Sequence, residues 1–140
     1  MKILLAVDGS EYTRRMLDYI ATHPDLFDRS HEYVALTVVP AVPPRVRGYI
    51  DRSTLDDYYA EQAEAVLAPV RERGAQLGWN FTVLHKTGHA PDLIATTADE
   101  GKFDMLVMGS HGHSPMASLM LGSVASRVLA HCTTPVLIVR

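Results

Sequence analysis

Cysteine is nearly missing. Cys132 is the only one, which rules out an internal disulfide and any zinc or iron–sulfur site built on cysteines. An excess of positive charge is missing too: thirteen Lys and Arg stand against sixteen Asp and Glu, a formal net charge of −3. With no basic field to gather a phosphate backbone, nucleic acid is not an expected partner. Apolar runs such as residues 3–7 and Val136–Val139 fall far short of the ~20 residues that a membrane helix needs. Met1-Lys2 enters the first of these runs directly, without the layout of a secretory leader. A soluble, cytoplasmic protein without membrane contact is the expectation. What is present is ordinary: 140 residues, 47% hydrophobic and 21% charged, suit a single domain over 1–140 with one compact core. Cys132 falls in an apolar helical pattern and reads as a buried structural thiol.

Five short runs rich in branched residues recur, at 3–7, 33–39, 81–85, 105–108 and Val136–Val139, each separated from the next by room for a helix. This alternation predicts an α/β domain with a parallel sheet. The first, fourth and fifth runs are apolar at nearly every position, as strands covered on both faces should be, whereas 81–85 is less pure and suits a place near an edge. Between them, Met16, Leu17, Ile20 and Ala21 make a helical stripe that opens after Ser10 and stops before His23-Pro24. Leu55, Tyr59, Ala63, Val66, Leu67 and Val70 make the longest, starting near Ser53 or Thr54 and ending at Gly74. A third helix runs from about Pro91 through Leu93, Ile94 and Ala98 to Gly101. In the last, Val124, Ala125, Val128, Leu129 and Cys132 face inward and Ser126, Arg127 and His131 outward, before Thr134-Pro135 forces an exit. Residues 40–52, with Pro40, Pro43, Pro44 and Gly48, read as a long surface loop without regular structure. No internal repeat or low-complexity segment appears.

Two features carry chemistry. Gly109-Ser110-His111-Gly112, nine further residues and then Gly122-Ser123 form a G-x2-G-x9-G-S pattern between the fourth run and the last helix. Glycines allow positive φ and close approach of a ligand, and the free N–H groups at a helix start form a donor cluster suited to phosphate. The competing reading is a loop whose glycines only make turns, with Ser123 as an ordinary N-cap. The second feature is Asp8 in Ala6-Val7-Asp8-Gly9-Ser10, at the carboxyl end of the first strand, where open α/β sheets bind ligands. Its carboxylate can accept two ribose hydroxyls, or it can cap a helix or turn. The two features meet only if the first and fourth strands are neighbours, as in order 3-2-1-4-5; order 2-1-3-4-5 separates them, and composition does not choose.

The loop within Val107-Met108-Gly109-Ser110-His111-Gly112, the Gly122-Ser123-Val124 helix start, the terminal Cys132-Thr133-Thr134-Pro135-Val136-Leu137-Ile138-Val139 and the opening Ile3-Leu4-Leu5-Ala6-Val7-Asp8-Gly9-Ser10 together resemble the universal stress protein family, over the whole chain. The resemblance implies a Rossmann-like, adenine nucleotide alpha hydrolase-like domain. Its sheet would be five-stranded and parallel, in order 3-2-1-4-5, with helices on both faces. It further implies ATP binding, since members with the intact glycine motif bind ATP and members lacking it generally do not. A homodimer formed through the Val136–Val139 edge strand is also implied. Carried over residue by residue, Asp8 would hold the ribose and Val38 would offer backbone groups to adenine, with Ala6 and Val7 walling the base. Met108, Gly109 and Gly112 would line the nucleotide, and Gly122, Ser123 and Val124 would close around the phosphates. Two departures bear on the loop and its exit: Thr133-Thr134 lengthens the link to Pro135, and Pro115, Met116, Leu119, Met120 and Leu121 make the loop apolar.

Other chemistries find little support. His111-x-His113 lacks a partner carboxylate or cysteine and the three- or four-residue spacing of helical metal pairs, so these histidines are expected to face solvent or phosphate and no protein-built metal site is predicted. A magnesium ion carried by ATP would leave little trace in sequence. His85 and His89 read as a strand end and helix entry. There is no G-x-S-x-G elbow, no G-x4-G-K-[ST] loop and no G-x-G-x-x-G after the first strand, and Ser123 has no evident base partner. The acidic cluster of a response regulator and the S-G-G-x-D-S loop of nucleotide-hydrolysing synthetases are absent as well. No catalytic residue is assigned: the chain reads as a nucleotide-dependent regulatory switch in stress response, with ATP turnover slow or absent because no lysine waits at the γ-phosphate and Arg127 reads as a solvated face residue. The alternatives are a structural or interaction dimer with a vestigial pocket, and a weak ATPase or autophosphorylating protein with Ser123 or Ser110 as acceptor.

Overall fold

The computed structural model describes residues 1–113 and 120–140. Pro115, Met116 and Leu119, part of the apolar stretch noted above, lie outside the described residues. The chain runs β1 (Lys2–Ala6), α1 (Glu11–Ala21), β2 (Glu32–Val39), α2 (Pro44–Arg47), α3 (Arg52–Leu77), β3 (Phe81–Thr87), α4 (Ala90–Glu100), β4 (Met105–Gly109), α5 (Ser123–His131) and β5 (Val136–Val139). All pairings are parallel, in the order β3-β2-β1-β4-β5, with Ile3 opposite both Tyr33 and Met105. The reversal of strand order therefore falls between β1 and β4, which places the carboxyl ends of both at one crevice.

Alternation along β1 splits its side chains between two cores rather than the one expected. Ile3, Leu5 and Val7 pack with α1 and α3, while Leu4 packs with Leu36, Ile94, Leu106 and Val128 under α4 and α5. A parallel sheet covered on both faces has no other solution. Full burial of a side chain such as Val128 contributes about 1.5–3 kcal/mol. β5 departs from the expected double burial: three of its four residues are only half-buried, because as the last strand of the sheet it pairs with β4 alone among the described residues. β3 is the opposite edge.

Helix boundaries follow identifiable residues. Ser10 precedes α1, whose Thr13, Met16, Leu17 and Ile20 are buried. Asp51 starts α3 by accepting a 2.9 Å hydrogen bond from the Thr54 N–H, just ahead of the expected start. That helix passes through Gly74 and ends at Gly78, which takes the left-handed conformation at φ 69°. Gly74 is there for packing: a Cβ would sit 2.5 Å from the Phe81 ring. The proline-rich segment is not wholly irregular, because Pro44 begins the one-turn helix α2, a position where its missing N–H costs nothing. In α5 the stripe is narrower than expected, since Leu129 is exposed and Cys132 is half-buried beyond the helix end. The turn that follows is held by Asp99, which accepts from the Thr133 and Thr134 N–H groups and from Thr134 Oγ1 at 2.7 Å. These bonds hold its carboxyl well below the usual range. Burial, with the Asp99 carboxylate alongside, pushes the Cys132 thiol up. Among the described residues, no helix is long and apolar enough to cross a membrane.

Candidate functional site

Between the carboxyl ends of β1 and β4 lies a cavity of about 220 Å³. Ala6, Val7, Asp8, Val38, Met108, Gly109, Gly112, Gly122, Ser123 and Val124, the ten residues singled out from the sequence, all line it. One wall is apolar, from Ala6, Val38 and Met108 of the sheet and from Ala90 and Ile94 of α4. Opposite, the chain turns polar where β1 hands over to α1.

That handover builds the Asp8 carboxylate into the fold. Gly9, at φ 77°, makes the sharp exit from the strand. Asp8 Oδ1 then accepts from the Ser10 N–H at 2.9 Å and from Thr13 Oγ1 at 2.9 Å, while the Asp8 N–H donates to Thr13 Oγ1 at 3.0 Å. Both readings of Asp8 meet here. One oxygen fixes the turn and the other, Oδ2, lies against Gly112, where a Cβ would come within 2.6 Å of it.

The three motif glycines serve close approach rather than unusual backbone, for none of them lies at positive φ. A Cβ on Gly109 would meet Tyr12 Cβ at 2.7 Å, and one on Gly122 would meet the Ser110 carbonyl oxygen at 2.7 Å. Gly122, not Ser123, is the N-cap of α5; Ser123 is the first helical residue and is exposed. A glycine cap brings no side chain to the helix start, and no cap bond forms there. Among the described residues, the first-turn N–H groups of Ser123, Val124 and Ala125, all cavity residues, are thus left as a donor set at the positive end of the helix dipole.

The loop histidines both line the cavity, His113 exposed and His111 half-buried, and each is also tied to a backbone carbonyl. His111 Nε2–H donates to the Met120 carbonyl and His113 Nε2–H donates to the Asp8 carbonyl at 2.6 Å, tautomers assigned from these acceptors. The Ser110 hydroxyl donates to His111 Nδ1 at 2.8 Å and is buried, so it offers no free acceptor for a phosphoryl group, whereas Ser123 faces the cavity. Among the described residues no group of three His, Cys, Asp or Glu is placed to hold a metal ion. Among the described residues, no Lys or Arg lines the cavity. Arg127, on α5, reaches Asp92 of α4 at 3.6 Å. Asp92 also accepts from His89 Nδ1 at 2.8 Å, and this bond keeps its carboxyl below the usual range.

Sequence reasoning missed Thr13, Ala90, Ile94 and Ala125. Thr13 had a signal: a hydroxyl five residues after a strand-terminal Asp sits in the first turn of the following helix, where it reaches back to that Asp. Ala90 and Ile94 had none, since helix α4 covers the crevice only through the crossover from β3 to β4.

A family model described as the universal stress protein family matches residues 1–140. Universal stress protein Slr1230 of Synechocystis is 28% identical over 139 residues, covering 99% of this chain and 42% of that protein. Universal stress protein YxiE of Bacillus subtilis is 29% identical over 150 residues, covering 99% of this chain and 98% of that one. The chain thus spans less than half of the first relative and nearly all of the second. Among solved structures, hypothetical protein MJ0577 of Methanocaldococcus jannaschii superposes with a TM-score of 0.80 at 25% identity, over 99% of this chain and 94% of that chain. A universal stress protein from Archaeoglobus fulgidus, solved in complex with dAMP, shares the fold with a TM-score of 0.70 at 22% identity, over 100% of this chain and 98% of that chain. Sheet order, the match along the full chain and these relatives agree: the chain belongs to the universal stress protein family.

Proposed function

We propose that residues 1–140 act as one domain that binds an adenine nucleotide, ATP in the cell, between β1 and β4, and that occupancy serves as a regulatory signal rather than as the start of rapid turnover. The observation that carries this reading is the meeting of Asp8 Oδ2 with Gly112 at the rim of a cavity that also holds the open donors of α5. The apolar wall of Val38, Met108, Ala90 and Ile94 suits a base, Asp8 suits the ribose hydroxyls, and the first turn of α5 suits phosphate oxygens. The dAMP complex of the Archaeoglobus relative supports the adenine class. With no lysine or arginine among the described lining residues, the charge of a triphosphate falls to backbone N–H groups and to a magnesium ion, whose ligands would be phosphate oxygens and water. The same lining supports binding over hydrolysis. The free Cys132 thiol suits a reducing cytoplasm.

We further infer a homodimer through Val136–Val139. The outer edge of β5 is half-buried, apolar and paired on one side only among the described residues, and a twin strand would satisfy its backbone groups. A dimer in which the nucleotide has no part is the competing reading, and the edge strand alone would support it equally.

The test is direct. The protein is purified without added nucleotide and denatured, and the supernatant is analysed; adenine nucleotide there, or a calorimetric signal with ATP and magnesium, is expected. Absence of both signals would reject the reading. Gly122→Asp places its Cβ 2.7 Å from the Ser110 carbonyl oxygen and a negative charge at the donor set, and is expected to abolish ATP binding while leaving the dimer intact.

A further inference from the structure

A second concavity, of about 450 Å³, lies behind the Asp8 turn, between α1 and α3. Its floor is apolar, from Leu17, Val66 and Val70. Its charged rim cancels: Arg14 pairs with Glu11 at 3.0 Å and Arg73 with Asp18 at 3.4 Å. Such a groove has no net charge with which to attract an ion.

Two polar groups in it are left without their ordinary partners. Ser10, which lines the groove at the start of α1, is only 9% exposed, and its Oγ is buried with no hydrogen-bond partner among the described residues. A buried hydroxyl without a partner is unfavourable, so it is a group that a ligand can satisfy once the Ser10 side chain turns toward the groove. The other is the Ala65 carbonyl. Pro69 lies inside α3 and has no N–H to give to the residue four before it, and both Ala65 and Pro69 line the groove. An apolar floor with one unpaired hydroxyl and one freed acceptor calls for a ligand of matching pattern. Thr13 lines both concavities, so its side chain, bonded to Asp8 on one side, walls this groove on the other.

We propose that this groove is a second small-molecule site, for an uncharged ligand with an apolar body and a hydroxyl head group, set back to back with the β1–β4 cavity across Thr13. The site does not depend on the nucleotide reading, and its test uses no nucleotide.

The full chain, labelled with ¹⁵N, is titrated separately with benzyl alcohol and with toluene, which lacks the hydroxyl. Saturable amide shifts are expected at Ser10, Arg14, Leu17, Ala65, Val66 and Val70, with benzyl alcohol held about three- to tenfold more tightly, the worth of one hydrogen bond. Ser10→Ala is expected to bring the two probes to about equal affinity. Ala65→Leu, on the exposed side of α3, narrows the groove and is expected to weaken both. Shifts that never saturate, that centre on the β1–β4 cavity, or that are equal for both probes in the unsubstituted chain would overturn the proposal, as would a Ser10→Ala chain that still prefers benzyl alcohol.

Discussion

Gly112→Ala probes the juxtaposition on which the nucleotide reading rests. The new Cβ would stand 2.6 Å from Asp8 Oδ2, about 0.8 Å inside the 3.4 Å at which ordinary contact begins. Because the carboxylate is held through Oδ1 by Ser10 and Thr13 at 2.9 Å, it cannot retreat without stretching one of those bonds. Either the carboxylate turns away from the cavity or the loop moves off it, and in both cases the oxygen proposed to accept the ribose hydroxyl is displaced. A hydrogen bond to a charged group contributes about 1.5–3 kcal/mol, so ATP should bind about 10- to 150-fold more weakly. Stability should change by less than about 1 kcal/mol, because Asp8 is exposed and Gly112 is half-buried. Titration calorimetry with ATP and magnesium reads the first quantity and urea unfolding the second. The decisive control is the Asp8→Ala background, in which Gly112→Ala should lose most of its effect because the group it displaces is gone. Affinity within about twofold of the unsubstituted chain would refute the reasoning, as would a full effect in the Asp8→Ala background.

Thr13→Val keeps the shape of the side chain but removes both of its bonds to Asp8. Stability should fall by about 1–3 kcal/mol in urea unfolding, and ATP affinity should fall severalfold as the carboxylate loses its orientation. Gly74→Ala drives a methyl to 2.5 Å from the Phe81 ring; urea unfolding should show a loss of about 1–3 kcal/mol, with ATP binding unaffected. Asp99 should give the fold a pH dependence. Its carboxyl lies lower in the folded chain than in the unfolded one, so its stabilisation is complete above the ordinary carboxylate value near 4 and is lost as pH falls below it. Asp99→Asn should flatten the acid limb of stability against pH, measured by thermal unfolding from pH 5 downward; an unchanged limb would mean the bonds to Thr133 and Thr134 contribute nothing.

The sheet was readable because its inner strands are apolar on both faces, as a parallel sheet between helices asks. Strand order was not readable from periodicity: it depends on which strand edge the chain returns to after β3, and no side-chain pattern in residues 88–104 encodes that choice. The family resemblance supplied it. Helix starts were legible to within a few residues, while the end of α3 was misread at Gly74, because a glycine that packs under an aromatic ring and one that stops a helix look alike until Phe81 is placed. Asp8 and the glycine motif could be picked out as chemistry from their positions at a strand end and a helix start. The roles of His111 and His113 could not, since each depends on a backbone carbonyl brought close only by the folded loop.

Placing the amino-terminal strand at the centre of the sheet has a consequence for synthesis. β1 can find β2 as soon as residue 39 has emerged from the ribosome, but its other edge waits for Met105 to Met108. Through most of translation the nascent chain therefore carries an unpaired, wholly apolar strand edge that nothing made so far can cover. Chains stopped before β4 should be bound by holding chaperones or should aggregate, and the step that closes the sheet comes late.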